Sequence, residues 1–178
     1  MIYRAAVIGL GRIGFTMEQD PLRPKPASHV GAYLAHPKVA LVGVCDTNGA
    51  RLNDAAMRLP GVATADDLEA VLMTDPSIVS IATPTETHAA VVESLAKDTD
   101  VRAIICEKPM ARFVADAEAM VRVCRAAGIR LFVNHSRRFD PEFRALAKDL
   151  LAWSIGQPKW ATLYYSGGLW NNGPHAVD

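Results

Sequence analysis

The chain has 178 residues, with 19 Lys and Arg matched by 19 Asp and Glu, and half of its residues are hydrophobic. Zero net charge leaves no basic surface for nucleic acid or an anionic membrane, and the longest apolar runs, such as Val39 to Cys45, fall far short of a bilayer span. The composition suits one full packed domain and the beginning of a second rather than a disordered chain.

From Met1-Ile2-Tyr3-Arg4 the chain runs directly into a strand pattern, with no leader-like charged region or cleavage site. Cys45, Cys106 and Cys124 are odd in number, widely spaced and flanked by apolar residues. They read as buried thiols in a reducing, cytoplasmic compartment. No His, Asp or Cys cluster has metal-ligand spacing, so no metal is expected.

Short β-branched runs then alternate with longer stretches of helical spacing. Strands are predicted over Tyr3–Ile8, Val39–Cys45, Ile78–Ala82, Ala103–Cys106 and Arg130–Val133. Helices are predicted near His29–His36, Gly49–Arg58, Asp66–Met73, Glu86–Lys97 and Val114–Ala127. In the last of these, Val114, Ala117, Met120, Val121 and Cys124 share one face of a 3.6-residue period, and Gly128 follows as a stop. Such alternation predicts an α/β fold, a doubly wound parallel sheet covered by helices on both faces.

Two stretches break the rhythm. Pro21, Pro24 and Pro26 make Gln19–Ser28 an exposed loop. After Ser136 the alternation ends: Asp140 caps and Pro141 opens a helix to roughly Trp153, and Gly156 leads into a strand over Pro158–Ser166. This divides the chain into residues 1–136 and residues 137–178.

Gly9-Leu10-Gly11-Arg12-Ile13-Gly14 has the spacing G-x-G-x-x-G immediately after the first strand. Gly9 permits the tight turn, Gly11 lets the backbone approach a pyrophosphate, and Gly14 lets the following helix pack on the strand. Free N–H groups at the helix start face the phosphates. Asp46 ends the second strand, where a carboxylate accepts hydrogen bonds from the ribose hydroxyls and repels a 2′-phosphate. That favours NAD, with NADP less favoured, although Arg51 leaves an opening for NADP. Asp46 stands 32 residues after Gly14, against roughly 20 in the usual motif, an excess assigned to the proline-rich loop. The other reading of Asp46 is a cap for the helix after Asn48.

Three further segments follow: Ala82-Thr83-Pro84-Thr85-Glu86-Thr87-His88, then Cys106-Glu107-Lys108-Pro109, then a C-terminal run ending Gly173-Pro174-His175-Ala176-Val177-Asp178. The first two follow predicted strands and so border the crevice where an open α/β sheet takes its ligand. The glycine turn, the Glu107-Lys108-Pro109 triplet and the Gly173-x-His175-x-x-Asp178 ending together resemble the Gfo/Idh/MocA oxidoreductases over nearly the whole chain. The resemblance implies a Rossmann domain followed by an open-faced α+β sheet domain, with hydride moved between nicotinamide and a sugar, cyclitol or related polyol. It implies that Lys108 lies beside the nicotinamide and the substrate hydroxyl, and that His175 serves as acid/base.

The chemistry agrees with those roles. Hydride leaves an alcohol carbon only as the hydroxyl proton departs, which suits a neutral histidine. An ammonium group at Lys108 stabilises the developing alkoxide. Pro109 is a candidate for a cis peptide. Arg12, Ile13, Thr83, Pro84, His88 and Glu107 complete the candidate cofactor contacts. Read singly, Lys108 is also compatible with an ordinary surface lysine and His175 with a helix-start cap. His29, at the start of a helix near the turn, is a candidate for contact with cofactor or substrate. His36 reads as a solvated helix end.

The chain departs from the family pattern at Asn171, where an aspartate often stands four residues before the histidine; an amide orients imidazole without stabilising imidazolium by charge. The chain also ends early relative to the family, as a fragment of a longer enzyme or as a protein that pairs with another chain. A lone strand with Trp160, Tyr164 and Tyr165 invites self-association into a homo-oligomer. The rival function is a dinucleotide-binding module without turnover; a third reading is a reductase- or dehydratase-like relative acting on an imine or amide.

Overall fold

The computed structural model describes residues 1–97, 100–154, 156, 157, 159, 160 and 162. The predicted strand Pro158–Ser166 falls mostly outside the described residues, as do Asn171 and His175. Two compact units divide the chain, residues 1–133 and residues 134–178.

The first unit is a six-stranded parallel sheet: β1 (Tyr3–Ile8), β2 (Val39–Cys45), β3 (Ala63–Ala65), β4 (Ile78–Ile81), β5 (Ala103–Cys106) and β6 (Arg130–Val133). Their spatial order is β3-β2-β1-β4-β5-β6, every neighbouring pair parallel. Chain order therefore reverses between β1 and β4, which opens a crevice at their carboxyl ends. This is the doubly wound Rossmann arrangement.

Helices α1 (His29–Ala35), α2 (Gly49–Arg58), α3 (Leu68–Leu72), α4 (His88–Leu95) and α5 (Val114–Ala126) connect the strands. Alternation along β1 sends Ala5 and Val7 to one face and Ala6 and Ile8 to the other. Val30 and Tyr33 of α1 and Ala55 of α2 cover the first face. Val71, Val92, Leu95, Met120 and Cys124, from α3, α4 and α5, cover the second. In β2 the register jumps, Ala5 facing Leu41 and Ala6 facing Gly43. The extra residue, Val42, flips the alternation, so Leu41 and Val44 reach the same core despite their odd spacing.

Three expectations need correction. Strand β3 was not anticipated, because three small, largely exposed residues carry no apolar run. Helix α3 begins at Leu68 rather than Asp66, because the Asp67 carboxylate accepts the Ala70 N–H at 2.7 Å and so caps the helix from outside it. The helical stretch after Pro84 opens with a short 3₁₀ turn, Thr85–Thr87, before α4.

The second unit contains α6 (Pro141–Leu151), opened as expected by Asp140, whose carboxylate accepts the N–H groups of Glu142 at 2.8 Å and Phe143 at 3.3 Å. None of its residues is buried.

The candidate dinucleotide site

The three glycines of the turn answer to three different neighbours. Gly9 has φ +93°, and a Cβ there would lie 2.6 Å from the backbone of Ala82. A Cβ on Gly14 would collide with the Gly9 carbonyl oxygen. A Cβ on Gly11 would meet no protein atom within 4 Å. Packing thus explains two of the glycines, and the third faces open space. Among the described residues, the N–H groups of Arg12 and Ile13 donate to no backbone acceptor.

The turn does not lead into a long helix. It makes one helical turn and a short 3₁₀ stretch, Thr16–Gln19, before the chain leaves on an excursion. The ladder resumes at α1: the His29 N–H donates to the Ile13 carbonyl at 2.9 Å and the Val30 N–H to that of Gly14 at 3.1 Å. Those are the bonds residues 17 and 18 would make in an unbroken helix. Residues 17–28 are therefore a twelve-residue insertion spliced into the crossover, and without it Gly14 and Asp46 stand at the ordinary spacing of about 20. Glu18 closes the insertion. Its carboxylate accepts the Ala27 N–H at 2.9 Å and the Ser28 hydroxyl at 2.8 Å, and it packs where Gly31 has no side chain.

Asp46, 8% exposed, is held by three donors. Oδ2 accepts the Leu10 N–H at 2.7 Å and the Arg51 guanidinium at 3.2 Å, and Oδ1 accepts the Asn48 N–H at 2.8 Å. Capping of α2 falls to Asn48, whose side chain accepts from Ala50 and Arg51. The capping alternative for Asp46 is thereby removed, and its carboxylate instead ties the glycine turn to the end of β2.

A cleft of about 710 Å³ opens here. Gly9, Gly11, Asp46, Thr83 and Pro84 line it, all named from sequence. Thr47, Asp66, Asp67, Leu68 and Val91 line it too and were missed, while Thr87 belongs to the Ala82–His88 segment expected at the crevice. The two aspartates follow β3, and only recognition of that short edge strand would have placed them at the crevice. Thr87 stiffens the wall, its hydroxyl lying 2.7 Å from that of Thr83 and 2.8 Å from the Pro84 carbonyl oxygen.

Arg12, Ile13, Gly14, His88, Glu107 and Lys108 are not among the lining residues. His88 is 1% exposed, with Nε2 at 3.0 Å from the Thr83 carbonyl oxygen and Nδ1 at 3.2 Å from that of Met110. It sits between the loops that follow β4 and β5 and touches the backbone of both. Glu107 is 8% exposed, and its Oε1 pairs with His29 Nε2 at 2.9 Å. Lys108 is half-buried just past β5, before the cis peptide to Pro109.

A strand-turn-helix start with a bare glycine face and a carboxylate at the next strand end defines a dinucleotide-binding Rossmann protein. The chain belongs to the Gfo/Idh/MocA family, the oxidoreductase family with an NAD-binding Rossmann fold, which it matches over residues 3–135. It is 33% identical over 139 residues to D-apiose dehydrogenase of Paraburkholderia graminis, covering 78% of this chain and 36% of that protein. It is 32% identical over 168 residues to inositol 2-dehydrogenase of Rhizobium meliloti, covering 92% and 45%. Among solved structures, an oxidoreductase from Agrobacterium radiobacter in complex with NAD+, L-tartaric acid and magnesium superposes with TM-score 0.74 at 28% identity, covering 90% of this chain and 43% of that one. The chain thus spans less than half the length of these relatives. Among the described residues, no helix is long and apolar enough to cross a membrane.

Proposed function

We propose that this chain is the NAD-binding and hydroxyl-activating part of a dehydrogenase acting on the CH–OH group of a sugar, cyclitol or polyol. The observation that carries the reading is Gly11: nothing in the protein requires a glycine there, whereas a pyrophosphate against the turn does. In this reading Gly9, Gly11 and Gly14 shape the turn, the N–H groups of Arg12 and Ile13 face the phosphates, and Thr83 and Pro84 line the nicotinamide end. His88 and Glu107 serve the cofactor by holding the loops that line it. When bound, NAD supplies the hydride acceptor.

Asp46 would hold the adenosine ribose. A carboxylate has about four acceptor directions, of which three are used by Leu10, Asn48 and Arg51. The Arg51 side chain is 48% exposed, so its ion pair is worth no more than about 1 kcal/mol and gives way to ribose hydroxyls. This supports NAD over NADP and leaves Arg51 as the group that a 2′-phosphate would use.

Lys108 holds and polarises the substrate hydroxyl, and its ammonium stabilises the alkoxide as the proton leaves. His175 takes that proton, with Asn171 orienting its ring. Residues 137–178 begin the substrate domain, and the protein works as a homo-oligomer. The relatives' substrates, inositols and apiose, support a polyhydroxylated ring as substrate class.

Incubating the protein with NAD and a panel of cyclitols and aldoses tests the reading. Formation of reduced nicotinamide with at least one of them, abolished by Lys108→Ala, is the expected result. No NAD binding at millimolar concentration, or turnover that Lys108→Ala leaves unchanged, would overturn it.

A further inference from the structure

Beyond Glu107, whose N–H still donates to the Ile81 carbonyl at 3.0 Å, the chain has left strand β5. Lys108 follows at once, so something other than the sheet must set where its long side chain begins. Two buried histidines flank it. His29, at the start of α1, holds the Glu107 carboxylate at 2.9 Å on the near side. His88, at the start of α4, faces the Met110 carbonyl at 3.2 Å on the far side. Each histidine also grips a different wall of the site: the His29 backbone N–H bonds the Ile13 carbonyl of the glycine turn, and the second ring nitrogen of His88 faces the Thr83 carbonyl.

We infer that His29 and His88 are positioning residues that brace the Lys108–Pro109 dipeptide from both sides, His29 through Glu107 and His88 through Met110. The inference rests on the role given to Lys108 above. An apolar side chain would fill either site without a polar contact; a buried ring whose nitrogens lie within hydrogen-bond distance of oxygens, one in His29 and two in His88, does more, because a buried polar group is tolerated only when its partner is held in register. His29 does this across 78 residues of sequence, joining the phosphate turn to the triplet. One carboxylate oxygen of Glu107, the residue next to Lys108, is thereby held by a histidine.

Lysine reactivity tests the brace without requiring turnover. The full chain is acylated with a limiting activated ester, and Lys108 labelling is read by mass spectrometry against exposed Lys38 as internal reference. His29→Leu and His88→Leu should each change the Lys108 rate by about three- to tenfold and leave Lys38 unchanged. His29→Gln, whose amide nitrogen stands in for Nε2, should return it to within about twofold. Should His29→Leu not fold, Glu107→Gln weakens the same pairing in a side chain of the same shape and should give the same change. Unaltered Lys108 labelling in a folded variant, a response to only one of the two histidines, or no rescue by Gln would overturn the brace. NAD titrated in parallel separates the two ideas: a chain that never binds NAD sinks the proposed function, while the labelling ratios still decide the brace.

Discussion

The Leu10 N–H donates to the Asp46 carboxylate at 2.7 Å, joining two points 36 residues apart in the chain. Through that bond the glycine turn proposed for phosphate and the carboxylate proposed for ribose form one unit. Fixed donors and acceptors cost nothing to reorganise on binding, so this contact belongs to affinity as much as to stability.

Asp46→Ala removes the acceptor of a buried N–H and should cost about 1–3 kcal/mol in a denaturant melt. The same change should lower NAD affinity and raise NADP affinity relative to it, since the repelling charge is gone and Arg51 is released. Calorimetry with both nucleotides checks this; an unchanged ratio would remove Asp46 from cofactor selection. Arg51→Ala in the Asp46→Ala background should abolish the gain in NADP binding.

Gly14→Ala drives a methyl group into the Gly9 carbonyl oxygen. Both partners are backbone, so relief requires the turn to move, and overpacking of this kind costs about 1–3 kcal/mol or more. A loss of thermal stability, with weakened NAD binding as its consequence, is the expected result.

The thiols supply a pH dependence. Burial first, then the neighbouring Glu107 and Cys124, pushes Cys106 up from 9.0 to about 12. Burial, then Asp46, Asp67 and Asp66, pushes Cys45 up from 9.0 to about 11. Above pH 9 the unfolded chain releases protons that the folded chain keeps, so these groups stabilise fully below pH 9 and lose that contribution as pH rises toward 11 and 12. Melting temperature should therefore fall through that window. At neutral pH a thiol reagent should titrate none of the three cysteines in the native protein and all three after unfolding.

Glu18 is the closure of the inserted loop, and Glu18→Ala leaves the Ala27 N–H and Ser28 hydroxyl without their acceptor. A cost of about 1–2 kcal/mol is expected, together with faster cutting of the loop around exposed Leu22 by a non-specific protease. Equal cutting rates would show that the loop is held by other contacts.

The sheet was largely legible in the sequence because strands such as Val39–Cys45 and Ala103–Cys106 are continuous apolar runs, the mark of strands buried on both faces. The long gap between Gly14 and Asp46 was legible as a loop, but not as a splice into a helical ladder, since that depends on which carbonyl His29 finds. Strand β3 was hidden because Ala63-Thr64-Ala65 is an edge held by pairing with β2 rather than by side-chain burial. The His29–Glu107 and His88–Met110 contacts lay beyond any local pattern. A lone histidine in a sequence does not say which oxygen a distant strand end will bring to it.

The most direct test of the dinucleotide-binding turn compares wild type with Gly11→Ala in an NAD titration by calorimetry, beside a thermal melt of each. Because a methyl group at Gly11 meets no protein atom, the two should melt within about 1 kcal/mol of each other while the variant loses about tenfold or more in NAD affinity. Equal affinity in the two proteins, or a wild-type chain that binds no NAD at millimolar concentration, would contradict it.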